Sequence, residues 1–562
     1  MTGDPAAASK GKKIMEKAED FVIENGILKK YSGSGQHVSV PEGTEIIGPG
    51  AFRGCGRIKT VSLPDSVRKI GEMAFYDCRR LTDIRLSENL AEIGDRAFQF
   101  CRDLASVRIP GKVEKIGACA FSGCSKLESL SMDRVPESIG ESAFTACPLL
   151  ADPEGFVIIG GILFDYAGES PYVHIPHSVW KIGENAFWGP PAVREVFLPE
   201  GLACIGSGAF RDCKDLKTIR IPESVRDLGD KVFLGCRSLK EAEIRGRASR
   251  IGESFFSGCS GLSKVSIPES VSEIGDNAFY GCSSLKGAAL PKGLTAIGRS
   301  AFQGCENLTD IEIPETTAVI GPAAFQGCRS LKGMRIPEGV TCIEEWTFQG
   351  CTDLEKVSLP ESLTRIGDYA FGACTSMRDL DLPEGCKDAG KNAFLGCPGL
   401  AGPEGFVIYA GVLYGYFGAA KDVRVPEGVR EIGEEAFAGC DSLESILIPD
   451  SVEEIGREAF RECTALRGAV LPAGLKVIER RTFFSCGRLK DISIPMGVRE
   501  IRGGAFSGCG SLRRLTLPGG LEWIGDEAFL DCTSLRILHI PGSVKYIGER
   551  AFQGCAMVRG KA

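Results

Sequence analysis

A chain of 562 residues with 43% hydrophobic and 25% charged side chains is long enough to bury a large core. Its 74 acidic and 66 basic side chains leave a net charge of −8 with no basic stripe, which argues against nucleic acid as a partner. The longest uncharged run, residues 405–420, falls short of the about 18 apolar residues that a membrane helix needs, so no membrane span is expected.

Residues 1–20 are polar and lysine-rich and read as an N-terminal tail. The start, Met1 to Lys10, lacks the apolar stretch of a secretory signal peptide, and no anchor is visible at the other end. On sequence alone this places the chain in the cytoplasm. At Phe21 begins F-V-I-E-N-G-I-L-K-K-Y-S-G, two apolar runs around a glycine, the pattern of a hairpin. The unit recurs at Phe156 as F-V-I-I-G-G-I-L-F-D-Y-A-G and at Phe406 as F-V-I-Y-A-G-V-L-Y-G-Y-F-G. Each copy opens a block of repeats, at 21–147, 156–397 and 406–555. The expectation is one solenoid over 21–562 in which the hairpins either bend the stack or widen a coil of the same sheet.

Within the blocks the phrase I-G-x-x-A-F-x-G-C returns every 23 residues, and its phenylalanine is never replaced in 21 copies, from Phe52 to Phe552. A fixed period of this length means one supersecondary unit stacked on itself. Positions are counted here from the cysteine that closes a repeat. After Cys213, Leu216 (+3), Ile219 (+6) and Ile221 (+8) alternate inward around outward Thr218 and Arg220, a short strand that Pro222 closes. Val225 (+12), Leu228 (+15), Gly229 (+16) and Phe233 (+20) then fall at spacings of three and four, which predicts a tight return with some helical character. Glycine holds +16 in 18 of 21 repeats, with Glu344, Glu479 and Arg502 as exceptions, so the site needs either positive φ or close approach of neighbouring coils. Stacked phenylalanines would form a continuous apolar column.

Twenty of the 24 cysteines close a repeat, and Pro190 is the one substitution in that column. Buried free thiols, disulfides between successive coils and metal ligation all compete for this column. The packing role fits a repeated position best, and the absence of C-x-x-C pairs speaks against metal.

Ile267-Pro-Glu-Ser-Val-Ser-Glu-Ile-Gly-Asp-Asn-Ala-Phe-Tyr-Gly-Cys-Ser-Ser-Leu285 resembles the BspA-like leucine-rich repeat family, the 23-residue class, and the resemblance covers about residues 21–555. It implies an α/β repeat solenoid, a curved right-handed coil stack with a parallel β-sheet on the concave face and irregular or helical returns on the convex face. It also implies adhesion or host interaction, with members often at microbial surfaces or secreted. The repeat motif is scaffold and carries over no functional residues.

The chemistry of the chain points the same way. Only His37, His174, His177 and His539 are present. His174 is expected outward on a strand and His177 past a proline in a turn, too divergent for a metal pair. No nucleophile triad, P-loop or dinucleotide motif is found, so no enzyme, metal or cofactor is expected. The expected function is binding of a protein or glycan through the outward strand positions. In the middle block the +7 ladder includes Phe197, Arg220, Glu243 and Arg335. In the third block Leu447 and Val470 are adjacent apolar rungs, with His539 further along and Ile537 outward at +5. The alternative is a structural, self-associating adhesive protein, with contacts through a C-terminal end that carries no matching cap.

Overall fold

The structure is a computed structural model that describes residues 18–188, 192–537 and 540–558. Pro190 and His539 lie outside the described residues. The chain divides into two compact units, Met1–Cys259 and Ser260–Ala562.

Each 23-residue repeat of the first unit lays down two short parallel strands, one in a first sheet and one in a second. The sheets start anew at the second block, so that the first sheet of residues 37–132 is separate from the one that begins at Tyr172. Thr60–Ser62 of the first sheet pairs with His37–Ser39 on one side and Asp83–Arg85 on the other. Lys69–Ile70 of the second sheet pairs with Ile46–Ile47 and Glu92–Ile93. Partners within a block stand 23 residues apart, Thr60 beside Asp83 and Lys69 beside Glu92, so each position of the repeat becomes a column along the stack. Val67, Ile70, Ala74, Phe75, Cys78 and Leu81 are fully buried, and the same set recurs repeat after repeat to fill one core between the sheets.

The second unit repeats this plan. Asp422–Arg424, Ser445–Leu447, Gly468–Val470 and Asp491–Ile492 form one sheet. Val477–Ile478, Glu500–Ile501, Trp523–Ile524 and Tyr546–Ile547 form another on its opposite side of the coil.

The coil stack and its parallel sheets match what the resemblance implies, and the return is irregular, without the helical character that the spacing predicts. Among the described residues helix is confined to three short 3-10 turns, Ala18–Asp20, Pro148–Leu150 and Pro398–Leu400. The cause is a backbone alternation that the spacing did not reveal. Positions +18 and +22 sit in the left-handed region, at Met73 (φ 52°) and Asp77 (φ 60°), Lys231 (φ 59°) and Gly235 (φ 78°), Ala323 (φ 56°) and Gly327 (φ 71°). Around and between the left-handed residues successive amides alternate in direction. Thus Met73, Phe75 and Asp77 donate to carbonyls of the following coil, at Asp95, Ala97 and Gln99, while Ala74, Tyr76 and Cys78 donate three residues back within their own coil. Each of these buried N–H groups finds an acceptor without a helix.

The glycine at +16 is explained by close approach. None of the described +16 glycines has positive φ. A Cβ on Gly71 would stand 2.8 Å from the Pro49 nitrogen and 2.9 Å from the Gly48 carbonyl carbon of the preceding coil. Where the glycine is replaced, charges pair across coils. Arg502 contacts Glu479 at 2.7 Å, and Arg365 reaches Glu344 at 3.2 Å.

The three sequence hairpins form as antiparallel pairs, and the second strand of each pairs in parallel with the first repeat of its block. Ile27–Tyr31 joins Ile46–Ile47, Ile162–Tyr166 joins Lys181–Ile182 and Val412–Tyr416 joins Glu431–Ile432. Each hairpin is therefore a coil of the stack with an added antiparallel strand. Its tyrosine starts the ring column: Tyr31 packs on Phe52, Tyr166 on Phe187 and Tyr416 on Phe437, at 5.1, 5.0 and 5.3 Å.

Candidate interaction surface

The interior offers little reactive chemistry. The cysteines are free. The column thiols face inward and donate to the phenylalanine carbonyl of the preceding coil, Cys78 to Phe52 at 3.0 Å and Cys328 to Phe302 at 3.2 Å. Burial pushes the thiols of Cys305, Cys351 and Cys509 up to about 12, so they stay protonated and non-nucleophilic at neutral pH. Among the described residues no three His, Cys, Asp or Glu side chains converge to hold a metal ion, and no helix is long and apolar enough to cross a membrane. His174 stands outward on its strand and His177 lies exposed in the turn beyond Pro176.

What the fold presents is the outward face of the first sheet. In the first unit His174, Phe197, Arg220 and Glu243 occupy consecutive rungs. The rings of His174 and Phe197 stack at 4.2 Å and 6°. Arg220 Nε meets Glu243 Oε2 at 2.7 Å, and Arg245 Nε meets Oε1 at 2.6 Å. Hydrogen bonds from Arg245 and Arg220 hold the Glu243 carboxyl below its ordinary range. Phe197, Arg220 and Glu243 line a recess of about 350 Å³. Phe197, Arg220 and Glu243 are thus brought together, with His174, weighed in the sequence only as half of a metal pair, as their neighbour.

In the second unit Arg424, Leu447 and Val470 stand side by side. Leu447 and Val470 keep 38% and 56% of their surface exposed, side by side on adjacent rungs. Gly468 carries no side chain beside them, and the surface falls into a recess of about 770 Å³ rimmed by Asp422, Arg424, Asp491 and Arg514. A second recess, of about 790 Å³, shares Asp422, Val423 and Arg424 with the first and runs back to the third hairpin, where Phe417 is 44% exposed. Together they make one groove with an aromatic end, an aliphatic middle and a rim of both charges.

Arg335 stands apart, on Gly333–Arg335, where it ion-pairs with Glu315. Ile537 lies on a strand, but its side chain is outside the described residues. Phe417 and Gly468 escaped the sequence reading. Their signal was present: the hairpin position held by Ser32 and Ala167 becomes Phe417 in the third copy.

The model of the BspA type leucine rich repeat region matches residues 23–151, 157–286, 272–401 and 430–559. Among solved structures, a leucine rich cell surface protein of Faecalibacterium prausnitzii is 28% identical, with a TM-score of 0.43 over 69% of this chain and 93% of its own. A leucine-rich repeat protein of Bacteroides ovatus is also 28% identical, with a TM-score of 0.39 over 72% of this chain and 89% of its own. A leucine-rich repeat protein of T. pallidum is 27% identical, with a TM-score of 0.27 over 39% of this chain and 83% of its own. No curated protein matches the chain.

Proposed function

The chain belongs to the BspA-type leucine-rich repeat family, and from that premise we propose that it is a non-catalytic scaffold that binds a protein partner through the outward face of its first sheet. The observation that carries this reading is the groove of the second unit, where Phe417, Leu447 and Val470 stay exposed around the bare backbone of Gly468. An aliphatic floor favours a protein segment with apolar side chains over a glycan, whose hydroxyls would find no partners on Leu447 and Val470. The mixed rim of Asp422, Arg424, Asp491 and Arg514 would orient that segment rather than supply its affinity. The aromatic and charged rungs at His174, Phe197, Arg220 and Glu243 form a second, more polar contact region on the first unit. The family implies a setting at the cell surface or outside the cell, with adhesion as the outcome.

The test is binding of the full chain to intact cells and to a panel of extracellular-matrix proteins, compared with the double variant Leu447→Asp, Val470→Asp. Each truncated apolar contact at the centre of an interface is worth roughly 1–2 kcal/mol, so the pair should cost tenfold or more in affinity. Saturable binding that survives the double substitution, or no saturable binding by the wild type, would sink the proposal.

A further inference from the structure

The second sheet carries its own anomaly. Its outward column at +14 holds charged or small residues through most of the chain, such as Lys69, Glu92, Lys115, Ala296 and Glu454. In the last two repeats it holds Trp523 and Tyr546, directly paired in register. Their rings lie face to face at 3.9 Å and 20°, a platform stacked along the coil axis that leaves each ring one outer face and keeps the two residues 44% and 38% exposed. Beside the pair Leu521 and Ile524 are fully buried, while Ile547 of the last coil stays 39% exposed.

Beside the platform the surface opens into a recess of about 600 Å³. Its cause is sequence-specific. Positions +17 and +18 carry long charged side chains in the flanking coils, Arg480–Arg481 and Asp526–Glu527, but Gly503–Gly504 in the coil between. The polar walls are held in place. Arg502, one of the three exceptions to the +16 glycine, is fixed between Glu479 at 2.7 Å and Glu500 at 3.2 Å. Asp526 Oδ1 accepts the Glu549 amide at 2.9 Å and the Tyr546 hydroxyl at 3.3 Å. Arg480, Arg481 and Arg502 balance Glu500, Asp526 and Glu527, so the recess has no net charge to select a phosphate or a polyanion.

An aromatic platform flanked by fixed donors and acceptors of both signs suits a neutral ligand with one apolar C–H face and a rim of hydroxyls. We propose that the recess beside Trp523 and Tyr546 is a saccharide subsite that takes a neutral pyranose unit of an oligosaccharide. The ring's C–H face would lie on the face of Trp523 turned away from Tyr546, toward Gly503–Gly504, and its hydroxyls would meet Arg502 and the Asp526 carboxylate. The subsite lies on the opposite sheet from the proposed protein groove and does not depend on it.

The experiment is titration of the full chain, followed by tryptophan fluorescence and by ligand-observed saturation-transfer NMR, with three probes: the β-linked glucose trimer, the N-acetylglucosamine trimer and a galactose-terminated disaccharide. At least one should bind saturably below about 10 mM. Trp523→Ala should weaken it about tenfold or more, as expected for loss of an aromatic anchor. Gly503→Arg provides an independent arm: Gly503 lies outside the left-handed region, and a Cβ there meets the Asp526 carbonyl oxygen at 3.3 Å, a tight contact that a shift of a few tenths of an ångström relieves, so the variant fills the recess and keeps the coil. It should abolish binding with an unchanged melting curve. Trp188→Ala, exposed in the first unit, should leave binding as it is. The proposal is overturned if no probe binds, if binding survives Trp523→Ala, or if Gly503→Arg leaves it intact.

Discussion

Inside a block the phenylalanine rings lie face to face, with centroids 4.8 Å apart for Phe52 and Phe75 and 5.4 Å for Phe302 and Phe325. At the two internal hairpins the column turns edge-on. Phe164 meets Phe144 at 75°, and Tyr414 meets Phe394 at 89°. The difference shows what parallel stacking depends on. A pure 23-residue translation reproduces every ring orientation, whereas a hairpin coil approaches with a different backbone and presents a different ring. Other bonds then join the coils: the Tyr414 hydroxyl lies 2.8 Å from the Ala389 carbonyl, and the Asp165 carboxylate accepts the Ala146 amide at 2.8 Å. The opening hairpin has Lys29 where these copies have Phe164 and Tyr414, and its outer strand exposes Val22 and Ile23 where theirs bury Val157 and Val407 and half-bury Ile158 and Ile408. One motif therefore serves two settings, with an aromatic ring at the Lys29 position in the two internal copies.

The strongest way to break the in-block packing is alkali. Buried thiols of the column, with Cys305, Cys351 and Cys509 at about 12 against an ordinary value near 9, hold protons in the folded chain that the unfolded chain releases. Their contribution is intact below pH 9 and is lost as the pH rises from 9 toward 12, by about 1.4 kcal/mol per pH unit for each such thiol. Denaturant melts between pH 8 and 11 should show a steep fall, and a chromogenic thiol reagent at pH 8 should detect in the native chain no more than the half-exposed cysteines 55, 119, 204, 342, 440 and 555. Rapid native labelling of the buried column would refute this.

Next in size is Phe302→Ala, which empties one rung of the face-to-face column and should cost about 3–5 kcal/mol, read as faster amide exchange in the flanking coils. An effect no larger than that of a surface Ser→Ala control would show that the column does not hold the block together. The joint should respond more gently. Tyr414→Phe keeps the edge-on ring but removes the donor to Ala389 and Gly390, for about 1–2 kcal/mol. A loss equal to that of Phe302→Ala would erase the distinction between block and joint.

The sequence by itself determined the period, the inward columns, the hairpins and the adjacency of Leu447 with Val470, because a strict translation turns spacing directly into contact. It could not decide the return. Spacings of three and four suit a helix and a chain of turns equally, and side chains such as Lys231, Trp346 and Glu458 give no sign of positive φ. The choice falls to the backbone amides, which find acceptors on the next coil only once the coils are stacked. The second sheet, and with it the Trp523–Tyr546 platform, stayed hidden for the same reason: its two-residue strands exist only as partners of their neighbours. Groove and recess alike are set by side chains that are missing, at Gly468 and at Gly503–Gly504, and an absence becomes a cavity only where the tertiary structure builds walls around it.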